Sequence, residues 1–364
     1  MGGLAGSDVR ITQMTKETGG GDVTDTNDPK IPWRPGQPSG SRSQSTNETR
    51  IHMRAITQQA FGGPEVLVIA ELSRPEPLPT EVLVRVHAVG INRVDASIRS
   101  GSWPLLGRPP FVLGWDISGT VEDIGPGVTR FLPGDEVYGM PFFPRAVGAY
   151  AEFVTASSRQ LASKPTSIDH VHAAALPLAG LTAWQSLVDA AQLGTGQRVL
   201  IHGGGGGVGH LAVQIAKARG AHVTVTASRS KEAWVRALGA DEVIDYAAAD
   251  FTRDAADIDV VFDLVGGGYG ERSIGVLRPG AVLVTAVDPL NRQLADQARR
   301  AGVTFRGIMV EPDQVGLEAI AGLVDDGRLL VHVERTFSFD DVAEAHRLIE
   351  GGHVSGKVVL VPRS

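Results

Sequence analysis

The chain has 364 residues, of which 42% are hydrophobic and 21% charged, the profile of an ordinary soluble protein with room for two or more domains. Its 34 Lys+Arg and 41 Asp+Glu leave a formal charge of −7, which argues against a dedicated nucleic-acid binder. With no cysteine, disulfides, Cys-ligated zinc, iron–sulfur clusters and thiol nucleophiles are excluded. There is no apolar run of the roughly 18 residues that a membrane helix needs, and no signal-peptide core at the N-terminus.

Residues 1–52 stand apart. Half of them are Gly, Pro, Ser, Thr or Asn, and their 6 basic and 6 acidic residues cancel. No apolar period is visible, so the segment cannot offset its ordering entropy and reads as a disordered extension, with Met53 as the start of the folded protein; the alternative is a short regulatory tail. From Met53 the chain reads as short strands. Val66–Ile69 and Val82–Val86 are separated by Pro75, Pro77 and Pro79; Asp116–Ile124 ends at Gly125-Pro126-Gly127, and Glu136–Tyr138 follows the turn Phe131–Asp135. This density of strands points to a barrel-like β-domain.

Near residue 170 the pattern changes. Ala173–Ala191 is Ala/Leu-rich and helical, with Pro177 a bend or break. Strands at 198–202, 222–226, 241–245, 259–264, 281–286 and 303–308 then alternate with helices at 208–218, 231–238 and 271–277, the rhythm of βαβ units on a parallel sheet. A helix at 317–324, a strand at 331–334, a helix at 341–349 and a strand at 357–361 close the chain.

The segment Val199–Gly209 carries G-x-G-x-x-G as Gly204, Gly206 and Gly209, between an apolar strand and a helix. Gly204 would make the tight turn, Gly206 would admit a pyrophosphate, and Gly209 would let the helix pack on its strand. Gly207 and Val208, at the helix start, offer backbone N–H groups and the positive end of the helix dipole to the phosphates. The alternative is a merely flexible glycine loop. NAD binders place an acid about 20 residues past such a loop. Here Ser228, Arg229 and Lys231 occupy that stretch, which suits the 2′-phosphate of NADP(H); the alternative is a solvated helix start capped by Ser230. Tyr246, after the next strand, could flank the adenosine or pack on the sheet edge.

From Met53 to Pro362 the sequence resembles the zinc-independent quinone oxidoreductases, the zeta-crystallin-like branch of the medium-chain dehydrogenase/reductase superfamily. The likeness is carried by Phe61–Leu67, Gly90–Asp95 with Arg99–Gly101, Leu113–Asp116, Gly134–Gly139, Gly148–Glu152, the glycine loop, Leu238–Asp241 and Gly356–Leu360. The resemblance implies an α/β protein with a GroES-like β-rich catalytic domain at 53–176, completed by 311–364, and a doubly wound Rossmann NADP-binding domain at 177–310. It implies an active site in the cleft between them, and a homodimer or homotetramer. The zinc alcohol dehydrogenases of the superfamily have a Cys ligand at the position of Asn92 and a His ligand at that of Trp115, so no metal is expected here.

Without metal or thiol, such a protein can hold a flat acceptor against nicotinamide and stabilise the oxygen that gains charge. Asn92 is a candidate donor to the acceptor oxygen or to the nicotinamide ribose, and Tyr138 a candidate phenolic donor; their alternatives are a backbone-bonding turn residue and a satisfied core tyrosine. Ser97, Trp103 and Trp115 are candidate walls of the acceptor pocket, with core packing as the alternative for both tryptophans. Some relatives carry tyrosines where this chain has Ser97 and Trp103, so its acceptor can differ from theirs. Thr182 is a candidate cofactor contact or a helix-packing residue. Asp95 and Arg99 are spaced as an i,i+4 helical pair, with Asp95 also able to orient Asn92. The expected activity is a cytoplasmic, NADPH-dependent, zinc-free reductase of a quinone or α,β-unsaturated carbonyl. The alternatives are an enoyl-thioester or 2-alkenal reductase, and an NADPH-binding structural or RNA-binding protein without turnover. No nucleic-acid or membrane partner is expected.

Overall fold

The computed structural model describes residues His52–Pro362; apart from His52, the extension expected at 1–52 lies outside the described residues. The first part holds eight strands: β1 (His52–Gln58), β2 (Leu67–Ser73), β3 (Glu81–Ile91), β4 (Phe111–Val112), β5 (Asp116–Ile124), β6 (Glu136–Gly139), β7 (Phe153–Ser157) and β8 (Leu161–Ser163). Helix α1 (Arg93–Ser100) follows β3 directly. β1 pairs with β2 and β4, while β3 is the long central strand, antiparallel to β5 and β7.

Two helices lead out of this β-rich part, α2 (His170–Ala174) and α3 (Pro177–Trp184). Pro177 separates them and sits at the start of α3, where its missing N–H costs no helical hydrogen bond. α3 then widens into a π-helical stretch, Gln185–Ala190.

Six parallel strands follow: β9 (Arg198–His202), β10 (His222–Ala227), β11 (Glu242–Asp245), β12 (Ile258–Asp263), β13 (Leu277–Thr285) and β14 (Thr304–Gly307). Their order is β11-β10-β9-β12-β13-β14, the doubly wound 3-2-1-4-5-6 arrangement. The strands are buried on both faces. Val199, Ile201, Val225 and Phe262 join one apolar cluster, whereas their neighbours Leu200 and Val261 join a second on the opposite face. Helices α4 (Gly209–Ala218), α5 (Glu232–Ala237), α6 (Phe251–Asp254), α7 (Gly268–Ser273) and α8 (Arg292–Arg300) connect the strands. The helix expected at 271–277 starts earlier, after Gly266 and Gly267 at φ +76° and +59°, and Leu277 already belongs to β13. α8 has no counterpart among the expected elements, because only Leu294 and Ala298 of its nine residues are buried and its apolar stripe is too thin to read.

After β14 the chain forms α9 (Gln314–Asp325), β15 (Val333–Ser338), α10 (Val342–Glu350) and β16 (Lys357–Val361). These strands do not extend the parallel sheet. β16 pairs antiparallel with β3, through Val358↔Ile91 and Leu360↔Val89, and β15 pairs with β16. The end of the chain therefore completes the sheet built by its beginning.

Candidate functional site

A cleft of about 950 Å³ runs along the C-terminal ends of the parallel strands. It is centred where the strand order reverses, between β9 and β12, which is where open α/β sheets bind ligands. Gly203 after β9, Leu264 after β12 and Val287 after β13 form one wall; Asn92 and Ser97 of the β3–α1 region and Lys357 of β16 form the other.

The glycine loop has a physical role at each position. Gly203 adopts φ +78° and makes the tight turn, the role expected of Gly204. Gly204 instead packs against β10: a Cβ there would lie 2.7 Å from Val225 Cβ, and Gly204 is not among the cleft-lining residues. Gly206 and Gly207 line the cleft, and the nearest atoms to a Cβ at Gly206 are 3.4 Å away, so backbone is left open to a ligand. Gly209 lets α4 approach the loop, since a Cβ there would lie 2.1 Å from the Gly203 carbonyl oxygen. Val208 is the N-cap of α4 and also lines the cleft. The first N–H groups of a helix lack intrahelical acceptors, so this end of α4 can take an anion.

Further along the cleft lie Ser228, Lys231 and Tyr246. Lys231 Nζ donates to the carbonyls of Gly205 (3.1 Å) and Val354 (2.7 Å), tying the glycine loop to the turn before β16. Burial pushes its pKa below the ordinary lysine value. Arg229 is exposed beside the cleft rather than lining it, and its guanidinium has no partner among the described residues. It can reach a ligand only by swinging from the rim.

On the opposite wall Asn92 is the N-cap of α1, in a capping box with Asp95. Asn92 Nδ2 donates to Asp116 Oδ2 at 2.9 Å, and Asn92 Oδ1 accepts from Lys357 Nζ. Lys357 Nζ also donates to the Ile91 carbonyl at 3.0 Å and lies 3.5 Å from Asp116 Oδ2. Asp116 Oδ1 accepts the Leu178 N–H of α3 at 2.8 Å. All three side chains are buried. Burial drives Asp116 up and Lys357 down, while their mutual attraction opposes both shifts. Three acceptors around Nζ call for three protons, so the ammonium form fits the geometry.

Asp95 and Arg99 do not pair with each other. Asp95 Oδ2 accepts the Asn92 backbone N–H at 2.8 Å and the Tyr150 hydroxyl at 3.1 Å. Burial raises Asp95 to about 7. Arg99 lies 3.1 Å from His346 Nδ1 and pairs with Glu350, and the other ring nitrogen of His346 is 3.1 Å from the Tyr150 hydroxyl.

Ser97, Trp103 and Thr182 do line the cleft, with Trp103 37% exposed. The Thr182 hydroxyl donates to the Leu178 carbonyl at 2.6 Å, so a ligand meets mainly its methyl face or its oxygen lone pairs. Two expected site residues are placed elsewhere. Tyr138 is fully buried and its hydroxyl donates to the Leu317 carbonyl at 2.5 Å, which makes it a core tyrosine rather than an acceptor donor. Burial raises its pKa far above the ordinary phenol value, so it does not ionise. Trp115 is also fully buried; its indole N–H donates to the Arg145 carbonyl at 2.7 Å and its ring meets Phe143 edge-on. Phe143, not Trp115, reaches the cleft wall. Tyr138→Phe is accordingly expected to leave turnover unchanged and to cost about 1–2 kcal/mol, for the hydrogen bond lost and the carbonyl left unpaired; steady-state assays beside urea unfolding check both parts.

Asp116 and Lys357 are not among the site residues that the sequence singles out. Both stand in stretches that carry the family likeness, yet nothing local marks them as partners of Asn92.

A doubly wound sheet whose glycine loop opens on a cleft shared with a β-rich part is the architecture of the two-domain dehydrogenases. The Alcohol dehydrogenase GroES-like domain family matches residues 78–166, and the Zinc-binding dehydrogenase family matches 238–360. The zebrafish (Danio rerio) protein named NAD(P)H oxidoreductase RTN4IP1, mitochondrial, is 37% identical over 325 residues, covering 78% of this chain and 84% of its own length. The Arabidopsis thaliana protein named NADPH-dependent alkenal/one oxidoreductase, chloroplastic, is 34% identical, covering 85% of this chain and 80% of its own. Among solved structures, the quinone oxidoreductase from Coxiella burnetii superposes with a TM-score of 0.82 at 36% identity, over 86% of this chain and 100% of its own. The chain belongs to the medium-chain dehydrogenase/reductase superfamily, with the quinone oxidoreductases, and is an oxidoreductase.

One matching family is described by zinc, and the donor set here does not fit that metal. There is no cysteine in the chain. The Asn92 amide is committed to an ammonium and a carboxylate, and the Trp115 N–H to a carbonyl. Among the described residues no group of three or more His, Cys, Asp or Glu is placed to hold a metal ion. Among the same residues no helix is long and apolar enough to cross a membrane.

Proposed function

We propose that the protein is an NADPH-dependent, zinc-free reductase of quinones or α,β-unsaturated carbonyls. The observation that carries this reading is the cleft itself: an anion-accepting glycine loop on one wall and a buried, oriented amide on the other. When bound, the nicotinamide supplies a hydride to the acceptor carbon. Gly206, Gly207, Val208 and the start of α4 hold the pyrophosphate by backbone and dipole. Asn92 donates to the acceptor oxygen as that oxygen gains charge, and water supplies the proton. Trp103 and Phe143 offer flat apolar faces to a conjugated acceptor, and Ser97 leaves room beside them. The names of the Coxiella and Arabidopsis relatives support quinone and alkenal acceptors respectively. The domain division at 53–176 with 311–364, and 177–310, belongs to this proposal and is supported by the pairing of β16 with β3.

NADPH preference is supported by Ser228, Arg229 and Lys231 where an NAD binder places an acid. Arg229→Ala is expected to raise the KM for NADPH about tenfold, the worth of one charge-assisted contact, and to leave the KM for NADH within about twofold. Lys231→Ala is expected to weaken both cofactors, because Lys231 also ties the glycine loop to Val354. Equal effects of Arg229→Ala on the two cofactors would remove the phosphate assignment.

The function is tested by the loss of NADPH absorbance with phenanthrenequinone, benzoquinone and a 2-alkenal, beside NADH controls and after EDTA dialysis. Rapid, NADPH-selective, EDTA-insensitive turnover is expected. Tight NADPH binding without turnover of any acceptor would overturn the enzyme reading. The proposal includes a cytoplasmic location and no nucleic-acid or membrane partner, for imaging of the full chain and binding assays to check. It includes a homodimer or homotetramer, which light scattering reads directly.

A further inference from the structure

We propose that Lys357 and Asp116 are a positioning pair for Asn92, holding its carboxamide in one orientation with a single uncommitted N–H on the cleft wall. The inference rests on the reductase reading above.

An amide such as Asn92 has two hydrogens and one oxygen, and it can bind either way round unless its neighbours discriminate. Here they do. The neighbour of Asn92 Oδ1 is an ammonium, which can only donate; the neighbour of Nδ2 is a carboxylate, which, when ionised, can only accept. Turning the amide over would set N–H against ammonium and carbonyl against carboxylate, losing two charge-assisted hydrogen bonds. All three residues are buried, so water does not compensate. Each member is held by a different element. Lys357 is anchored by the Ile91 carbonyl at the end of β3, Asp116 by the Leu178 N–H of α3, and Asn92 by the Asp95 carboxylate on its backbone N–H. Lys357 and Asn92 both line the cleft.

With Oδ1 and one Nδ2 hydrogen committed, the second Nδ2 hydrogen is the only donor the side chain has left. In reduction the acceptor carbon gains hydride from NADPH, and the displaced electron pair moves to the acceptor oxygen. That oxygen needs a donor before water protonates it. A preset N–H spares the reorganisation that a freely turning amide would undergo. Lys357 adds a positive charge behind the amide without itself offering a free proton.

The experiment uses Asn92→Ala, the charge-balanced double variant Lys357→Met/Asp116→Asn, and the triple variant. The double variant leaves no charge unpaired, so it keeps the question open where Lys357→Met alone is strongly destabilised. Each is read by kcat on the acceptors that the wild type reduces, and by NADPH Kd from fluorescence. The expected loss in kcat is about 10–100-fold for Asn92→Ala, the same for the double, and no more for the triple, as for residues acting through one donor. NADPH Kd is expected to stay within about threefold in all three, well under the 1.4 kcal/mol of a tenfold change. Losses that multiply in the triple, a Kd that rises in step with the fall in kcat, or an unchanged kcat in the double would each overturn the proposal. If the wild type reduces nothing, the reductase reading fails by itself. The positioning claim is then read from the exchange of the Asn92 Nδ2 protons by nuclear magnetic resonance. Slow exchange in the wild type and fast exchange in the double variant uphold it, and equal exchange overturns it.

Discussion

Substituting Gly209 by alanine is expected to abolish cofactor binding and to loosen the parallel-sheet half of the molecule. A Cβ at 209 would stand 2.1 Å from the Gly203 carbonyl oxygen and 2.8 Å from Gly204 Cα, far inside contact distance. Both obstacles are backbone, so no side-chain rotation relieves them. α4 must move away from the end of β9, and the loop proposed to meet the phosphates moves with it. Overpacking of this kind costs about 1–3 kcal/mol and more where the backbone cannot yield. The displaced helix start no longer presents its N–H groups in register, so an NADPH affinity loss of more than about 100-fold (roughly 2.8 kcal/mol) is expected. Gly206→Ala is the control. Its Cβ would meet only the Gly203 carbonyl oxygen, at 3.4 Å, so its stability should stay within about 1 kcal/mol of wild type. Fluorescence titration with NADPH and urea unfolding separate the two effects. Wild-type binding in Gly209→Ala would show that the close approach of loop and helix is not needed.

Lys357→Met is expected to be the most destabilising single substitution on the opposite wall, at about 3–5 kcal/mol near pH 7. The reason is what it leaves behind. Asp116 keeps the Leu178 and Asn92 donors but loses, among the described residues, the one cation paired with a fully buried carboxylate. The carboxylate must then be neutralised or exposed, and either course works against the fold. Adding Asp116→Asn removes the stranded charge, and the double variant should recover most of the loss. Equilibrium urea unfolding gives both numbers, and the recovery is the diagnostic part. If the double variant is as unstable as the single, the cost lies in packing of the lysine stem rather than in an unpaired charge.

These two expectations fall on opposite walls of one cleft, and they differ in how far the amino-acid sequence reveals them. Gly209 is legible. An apolar run, a string of glycines and a helix lie next to each other in the chain, and the geometry that needs glycine there is local. The same holds for the strands Arg198–His202, Asp116–Ile124 and Lys357–Val361, whose apolar content and flanking turns match the observed boundaries. Even within the loop, however, the left-handed turn falls on Gly203 and not on Gly204, because five adjacent glycines carry no mark of which one takes a positive φ.

The Asn92 wall is different. Asp116 is 24 residues from Asn92 in sequence and Lys357 is 265; the pairing of β5 with β3 sets Asp116 opposite Gly90, and the return of β16 to β3 brings Lys357. Tyr138 and Trp115 show the same limit from the other side. Both are residue types that suit a site, and both are spent on carbonyls, at Leu317 and Arg145, that no spacing rule connects to them. Sequence by itself determined the alternation of strands and helices, the glycine loop and the chemistry on offer, since those follow from neighbours along the chain. Tertiary structure alone decided which polar groups face the cleft and which are consumed in the core, since a buried donor or acceptor takes whichever partner the folded topology brings within hydrogen-bond reach.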